Sequence, residues 1–137
     1  MKKFKFKLAS VLRLRSHEKD MAVQQLADSL RMFNSIKQQL QLLDTEINRA
    51  RLQELPLHLG AQRDLFIQSL HVKSHRLQGE LRSSEVLVNE ARVLVAHAQA
   101  ALRAVEKLKE RQYNDWQMEF QRQEDRELAE VASRRSR

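Results

Sequence analysis

The chain has 137 residues, the length of one domain, and its 25 Lys and Arg against 18 Asp and Glu give a formal net charge of +7. Only two Gly and one Pro are present, which excludes a sandwich, a barrel or an α/β fold with many tight turns. The lack of Cys excludes thiol chemistry and Cys-based zinc sites, and the abundance of Leu, Ala, Gln, Glu, Arg and Lys predicts an all-α fold of long helices.

The net charge comes from the two ends of the chain. Four Lys and three Arg at the termini equal the whole excess, so residues 8–133 are neutral. The basic start could bind phosphates while its Phe rings stack on bases or enter a membrane interface, or it could be a solubilising terminus whose rings cover the end of a helical pair. The apolar stretch that follows is stopped at Arg13, too early for a secretion signal, so a cytoplasmic location is expected. The terminal basic residues are Lys2, Lys3, Lys5, Lys7, Arg134, Arg135 and Arg137.

One break interrupts an otherwise helical sequence. Pro56 removes a backbone donor and disfavours helix at the residue before it, and Gly60 can permit a reversal of the chain. The pattern predicts helix 1 over about 8–54, a turn over about 55–62 and helix 2 over about 63–132.

In both helices, mostly apolar residues recur at alternating intervals of three and four residues, which is the spacing of a coiled-coil seam. Ten of thirteen such residues in helix 1 are apolar, and ten of twelve in helix 2. The seam of helix 1 is Leu8, Leu12, Arg15, Lys19, Ala22, Leu26, Ser29, Phe33, Ile36, Leu40, Leu43, Ile47 and Ala50. The seam of helix 2 is Ile67, Leu70, Ser74, Leu77, Leu81, Ser84, Val88, Ala91, Val95, Ala98, Leu102 and Val105.

A fold point between His58 and Leu59 brings the two seams face to face. Large residues then repeatedly oppose small ones, as when Phe33 faces Ser84, and such pairs fill the space between helices well. A parallel homodimer would instead stack Phe33 on Phe33. We therefore expect an intramolecular antiparallel coiled-coil hairpin with a longer second helix, a single domain of residues 1–137 and a monomer. Residues from Gln117 onward would extend past helix 1 as a lone helix, which is marginal in water without a partner.

The sequence offers no catalytic constellation. Two isolated Gly cannot form a phosphate-binding loop. His71 and His75 have a spacing that could bind a metal on one helix face, but no companion motif surrounds them, and they are interpreted as solvated residues beside the seam. No catalytic residue, metal site or cofactor is predicted, and the chain is not expected to be an enzyme.

Both ends of the chain resemble one protein family. The opening sequence and the region around the single Trp are similar to those of the FliJ family of flagellar export proteins, and the stalk proteins of virulence type III secretion systems look alike. The residues that carry the resemblance are Phe4, Phe6, Leu8, Val11-Leu12-Arg13-Leu14-Arg15, Glu18, Ala22, Ala104–Arg111, Trp116 and Glu124–Ala132.

The resemblance implies a function without catalysis. It implies a small cytoplasmic antiparallel coiled coil, similar to the central stalk subunit of rotary ATPases and peripheral at the inner-membrane export apparatus. The implied partners are the hexameric export ATPase, the cytoplasmic domain of the membrane export gate protein, and export chaperones. Nucleic acid is not an expected partner.

The same resemblance assigns two sets of contact residues. The paired termini would enter the ATPase ring, and the middle of helix 1 would dock the gate, although the aromatic residues that some members show there are missing. The residues for the ring are Phe4, Phe6, Arg13, Arg15, Trp116, Phe120, Arg134 and Arg135, and those for the gate are Gln38, Gln39, Glu46 and Arg49.

Two other functions remain open at this point. A basic-tipped coiled coil could bind nucleic acid or an anionic membrane, and its binding would then weaken steeply with salt. An export chaperone is the third reading, which is disfavoured because the sequence shows no apolar groove.

Overall fold

The computed structural model describes residues 3–136, which form two long helices. Helix α1 spans Ala9–Leu52 and has 44 residues, and helix α2 spans Gly60–Arg135 and has 76 residues. A short 3₁₀ turn, Leu57–Leu59, lies between them, and no strand is present in this described part of the chain. The two helices pack against each other as a hairpin. The predicted fold class, an antiparallel coiled-coil hairpin with a longer second helix, is confirmed.

The connection between the helices is built around Pro56. Its backbone is extended, with φ −55° and ψ 149°, and its carbonyl accepts a hydrogen bond of 2.9 Å from the Leu59 N–H. The Arg63 guanidinium donates to the carbonyl of Gln53 at 3.3 Å, which ties the first turn of α2 to the end of α1. Gly60 is helical, with φ −61° and ψ −40°. The prediction that Gly60 supplies the reversal is therefore wrong, because the extended proline and the 3₁₀ turn already redirect the chain.

The chain divides into two compact units. The hairpin unit comprises residues 21–95, and the terminal unit comprises residues 3–20 with residues 96–136 of the described chain. Each contains a stretch of both helices.

The core lies in the hairpin unit and follows the predicted seam. Nine of the described residues are buried, and all nine occupy seam positions, which confirms the three-four pattern. Leu43, Ile47, Leu70 and Leu77 form one cluster, against which further seam residues pack. The buried set is Leu43, Ile47, Ala50, Leu70, Ser74, Leu77, Ser84, Val88 and Ala91.

Four of the buried seam residues are small. Ala50, Ser74, Ser84 and Ala91 are as fully enclosed as the buried Leu residues of the seam. Small side chains leave room for large ones from the facing helix, which favours close packing along the seam. One of these small residues carries an unsatisfied polar group. Ser84 is 4% exposed, and its hydroxyl has no hydrogen-bond partner among the described residues.

We predict that Ser84→Ala stabilises the hairpin by about 1 kcal/mol beyond the gain from helix propensity, because it removes a buried hydroxyl that makes no hydrogen bond. Urea unfolding followed by circular dichroism measures this difference. Ser83→Ala is the matched control, since Ser83 is exposed and its hydroxyl donates to the Gly79 carbonyl at 3.2 Å. Equal stabilities for the two variants would contradict the prediction.

Candidate functional site

An aromatic cluster joins the N-terminal segment to α2 within the terminal unit. Phe4 meets Tyr113 edge-on at 5.3 Å between ring centroids and lies 6.0 Å from Trp116. Trp116 stacks on Tyr113 at 6.0 Å and on Phe120 at 5.5 Å. The three α2 residues share one face because they are three and four positions apart. Edge-on and offset stacked pairs of this kind stabilise by about 1 kcal/mol each beyond their buried area.

Three of the residues assigned to the ring contact therefore come together: Phe4, Trp116 and Phe120. Tyr113 was not among the predicted site residues. The sequence could have identified Tyr113, since the predicted register places residue 113 opposite Phe4. It was missed because it falls outside the three-four seam, between Gln112 and Trp116.

The segment before α1 alternates apolar and basic residues and has no regular secondary structure over residues 3–6. Phe4 and Phe6 are half-buried, whereas Lys3, Lys5 and Lys7 are exposed. The alternation therefore separates half-buried rings from solvated ammonium groups. Lys2 and Arg137, which the charge analysis included, lie outside the described residues.

The last part of α2 is exposed on every face. Phe120 is the final half-buried residue, and residues 121–136 are all exposed. Leu128 and Val131 are among these exposed side chains although they are apolar. A lone amphiphilic helix in water gains little from packing, so this segment has surface available for a partner.

The predicted Arg residues are spread along the terminal unit. Arg134 and Arg135 lie in the last turn of α2, where positive charge favours the helix dipole, and Arg134 is about 27 Å along the helix from Trp116. Arg13 is exposed, and Arg15 donates to Glu18 at 2.9 Å in a partly exposed pair of modest strength. The structure thus separates the basic residues at the end of α2 from the aromatic cluster.

The residues assigned to the gate lie on the surface of the hairpin unit. Gln39 and Glu46 line a shallow groove of about 240 Å³ whose other side includes Lys73 of α2. Gln38 and Arg49 are exposed. The groove is smaller than a typical pocket for a small-molecule ligand, and its lining mixes apolar and charged groups.

One of the two His residues with metal-binding spacing, His71, forms a hydrogen bond within the hairpin unit. Arg51 Nη2 lies 3.1 Å from His71 Nε2, and because a guanidinium can only donate, the imidazole nitrogen is the acceptor of this hydrogen bond. Within residues 3–136 no three His, Asp or Glu side chains lie together in a way that could hold a metal ion. No helix of that same stretch is both long enough and apolar enough to cross a bilayer.

Comparison with known proteins gives one match. The family described as flagellar FliJ protein matches residues 4–137, essentially the whole chain. No curated protein and no solved structure matches. The resemblance seen at the two ends of the sequence is confirmed.

We predict that Phe4→Ala loosens the N-terminal segment from α2 and shifts the emission of Trp116, the single Trp, to longer wavelength. The loss of the ring contacts should weaken docking of this segment by about 1–2 kcal/mol. Fluorescence and amide hydrogen exchange of residues 9–15 measure the two effects. Leu14→Ala, at an exposed position of the same unit, is the control and should change neither. An unchanged emission spectrum in Phe4→Ala would show that the cluster does not hold the segment.

Proposed function

Because the chain belongs to the FliJ family of flagellar proteins and is a flagellar export-related protein, we propose that it is a non-catalytic coupling protein of the export apparatus. In this role it links the hexameric export ATPase ring to the cytoplasmic domain of the membrane export gate protein and assists in handling export chaperones. It acts in the cytoplasm, at the inner-membrane export apparatus.

The observation that carries the proposal is the exposed end of α2. Residues 121–135 form regular helix, yet no side chain among them is buried. A helix without tertiary contacts is marginal on its own, so fifteen residues of exposed helix favour a surface that a partner covers. A channel at the centre of a protein ring is a partner that can surround a single helix on all sides.

The aromatic cluster supports the same assignment. It fixes the N-terminal segment against α2 at the last half-buried residues before the exposed stretch begins. Because the aromatic cluster fixes the start of the exposed helix, the helix samples fewer orientations when free. The entropic cost of binding to the ring is therefore lower. The exposed Lys3, Lys5 and Lys7 beside this base are available for acidic groups of the ring.

The gate contact is assigned to the hairpin unit. Gln38, Gln39, Glu46 and Arg49 present two amides and both signs of charge on the exposed side of α1. Polar surfaces of this kind suit a contact that forms and dissociates repeatedly, because they leave no large apolar area in water when free.

Binding of nucleic acid or of an anionic membrane is the second candidate, favoured by the exposed Lys residues of the first segment. Base stacking needs free rings, and Phe4 is packed against Tyr113 and Trp116. The engagement of that ring supports the coupling role over the second candidate.

We predict that the chain increases ATP hydrolysis by its cognate export ATPase several-fold and hydrolyses no ATP alone. Deletion of residues 121–137 should return the rate to that of the ATPase by itself, because the ring loses the helix it surrounds. Phosphate release measured across a concentration series of each variant checks this.

The control is the double variant Gln39→Ala/Glu46→Ala, which changes the hairpin unit and should stimulate the ATPase like the unaltered chain. Binding of both variants to the isolated cytoplasmic domain of the gate protein should show the reverse pattern. Full stimulation by the deletion variant would contradict the proposed ring contact. Retention of nucleic acid or anionic vesicles at physiological salt, with no effect on the ATPase, would favour the second candidate.

A further inference from the structure

Helix α2 has a second apolar stripe on the side opposite its seam. Leu65, Val72, Val86 and Val93 recur at seven-residue multiples and are 67%, 67%, 55% and 54% exposed. In the heptad defined by the seam they occupy the outermost position, which faces away from α1 and is normally polar. We call this set, together with Gly79 at the same heptad position, the outer stripe.

Helix α1 shows no such stripe at its own outermost position. Over the same unit that position holds Gln24, Arg31, Gln38 and Thr45, and only its last member, Leu52 at the end of α1, is apolar. Exposed apolar side chains such as Met21, Met32 and Leu42 occur on α1 too, but on α2 they recur along the outermost line of the helix. Exposed apolar side chains that align over several turns mark an interaction surface.

Gly79 lies at the centre of the outer stripe. A Gly inside a helix destabilises it relative to Ala, and a Cβ at this position would meet no atom within 4 Å, so packing within the chain does not require it. A Gly on a helix surface does allow the backbone of a second helix to approach closely. The loss of helix stability that Gly79 causes is thus explained if another helix crosses α2 at this point.

Positions that recur every seven residues are symmetric about their central member, which in this stripe is Gly79. Val72 and Val86 are equally distant from it along the helix, and so are Leu65 and Val93. A two-fold axis at Gly79 would place Val72 of one copy against Val86 of the other and Leu65 against Val93, with the two Gly in contact. An interface about a two-fold axis requires such self-complementarity.

We propose that the outer stripe is a homodimer interface, in which α2 of two copies pairs antiparallel with the two-fold axis at Gly79. The hairpin closes within each chain, and two hairpins then associate reversibly, which replaces the monomer expected from the sequence by a monomer–dimer equilibrium. This inference rests on the hairpin unit alone and does not depend on the proposed role in export.

The stripe is narrow, which suits a weak and reversible dimer. Phe66, Leu87 and Leu94 are also about half exposed, but they lie about 100° around the helix from the stripe and border the pairing face without occupying it. Four stripe residues per copy form a small interface, at or below the lower end of the range for specific interfaces.

The charges beside the stripe fit the antiparallel arrangement. Arg76 and Glu80 lie on the same side of the stripe, one turn apart around Gly79. In the proposed dimer, Arg76 of one copy comes within one turn of Glu80 of the other, and the symmetry repeats this pair. Ser69, Ser83 and Asn89 also border the stripe and are uncharged, whereas Arg82, on the other side of the stripe, has no acidic partner from the second copy in this arrangement.

The first test is sedimentation velocity of the full chain from about 1 to 300 μM, a range that brackets the affinity of small interfaces. The mass should rise from one chain to two across this range. Val86→Lys places a charge in the stripe and should raise the dissociation constant at least tenfold, with helix content unchanged by circular dichroism. Thr45→Lys, at the outermost position of α1, is the matched control and should dimerise like the unaltered chain.

The second test fixes the orientation and uses the absence of Cys from the sequence. Under mild oxidation Gly79→Cys should cross-link to itself, Val86→Cys alone should not, and a mixture of Val72→Cys with Val86→Cys should form the mixed dimer. Self-linking of Val72→Cys and Val86→Cys to the same extent as Gly79→Cys indicates parallel pairing and overturns the proposed dimer. A single-chain mass at every concentration also overturns it, and would assign the stripe to a helix of another protein.

Discussion

The apolar seam between α1 and α2 is the constraint on which the rest of the structure depends. Within the described residues the two helices have only each other and the N-terminal segment to pack against, and every buried apolar residue lies along this one line. Isolated helices gain most of their stability from an amphipathic face that finds a partner. The buried seam combines Leu, Ile and Val with the small residues Ser and Ala, a composition that suits close packing of two helices of the same chain.

The sequence was sufficient to predict the seam, since a three-four spacing sustained over many turns has few other interpretations. It predicted the place of the break from Pro56 but not its geometry. Gly60 has access to left-handed backbone conformations, yet the proline had already turned the chain, so the glycine joined α2 instead. Local residue preference could not reveal which of two neighbouring breakers would act.

The candidate site was predictable in part. Phe4, Trp116 and Phe120 were chosen individually, and the hairpin register brought them into one cluster with Tyr113. Arg134 and Arg135 were grouped with them only because the expected register brings both ends of the chain to the same end of the hairpin. The length of α2 carries these two residues several turns further along the helix. The sequence pattern did not predict the outer stripe, because residues away from the seam of a coiled coil are normally solvated and carry no signal of a partner.

The two units support different kinds of contact. The terminal unit combines a fixed aromatic base with a helix that has surface on all sides, which suits a partner that encloses it. The hairpin unit has a mixed polar surface on α1 and an apolar line on α2, which suits partners that lie alongside a helix. A coupling protein needs such separate surfaces, because it must remain bound to one partner while it contacts another.

The most direct test of this account is electron cryomicroscopy of the cognate export ATPase hexamer with the full chain bound. The account predicts helical density for residues 121–136 inside the central channel, with the aromatic cluster at its mouth. Density for the chain on the outer surface of the ring, or a channel that stays empty at saturating concentration, would contradict the coupling role.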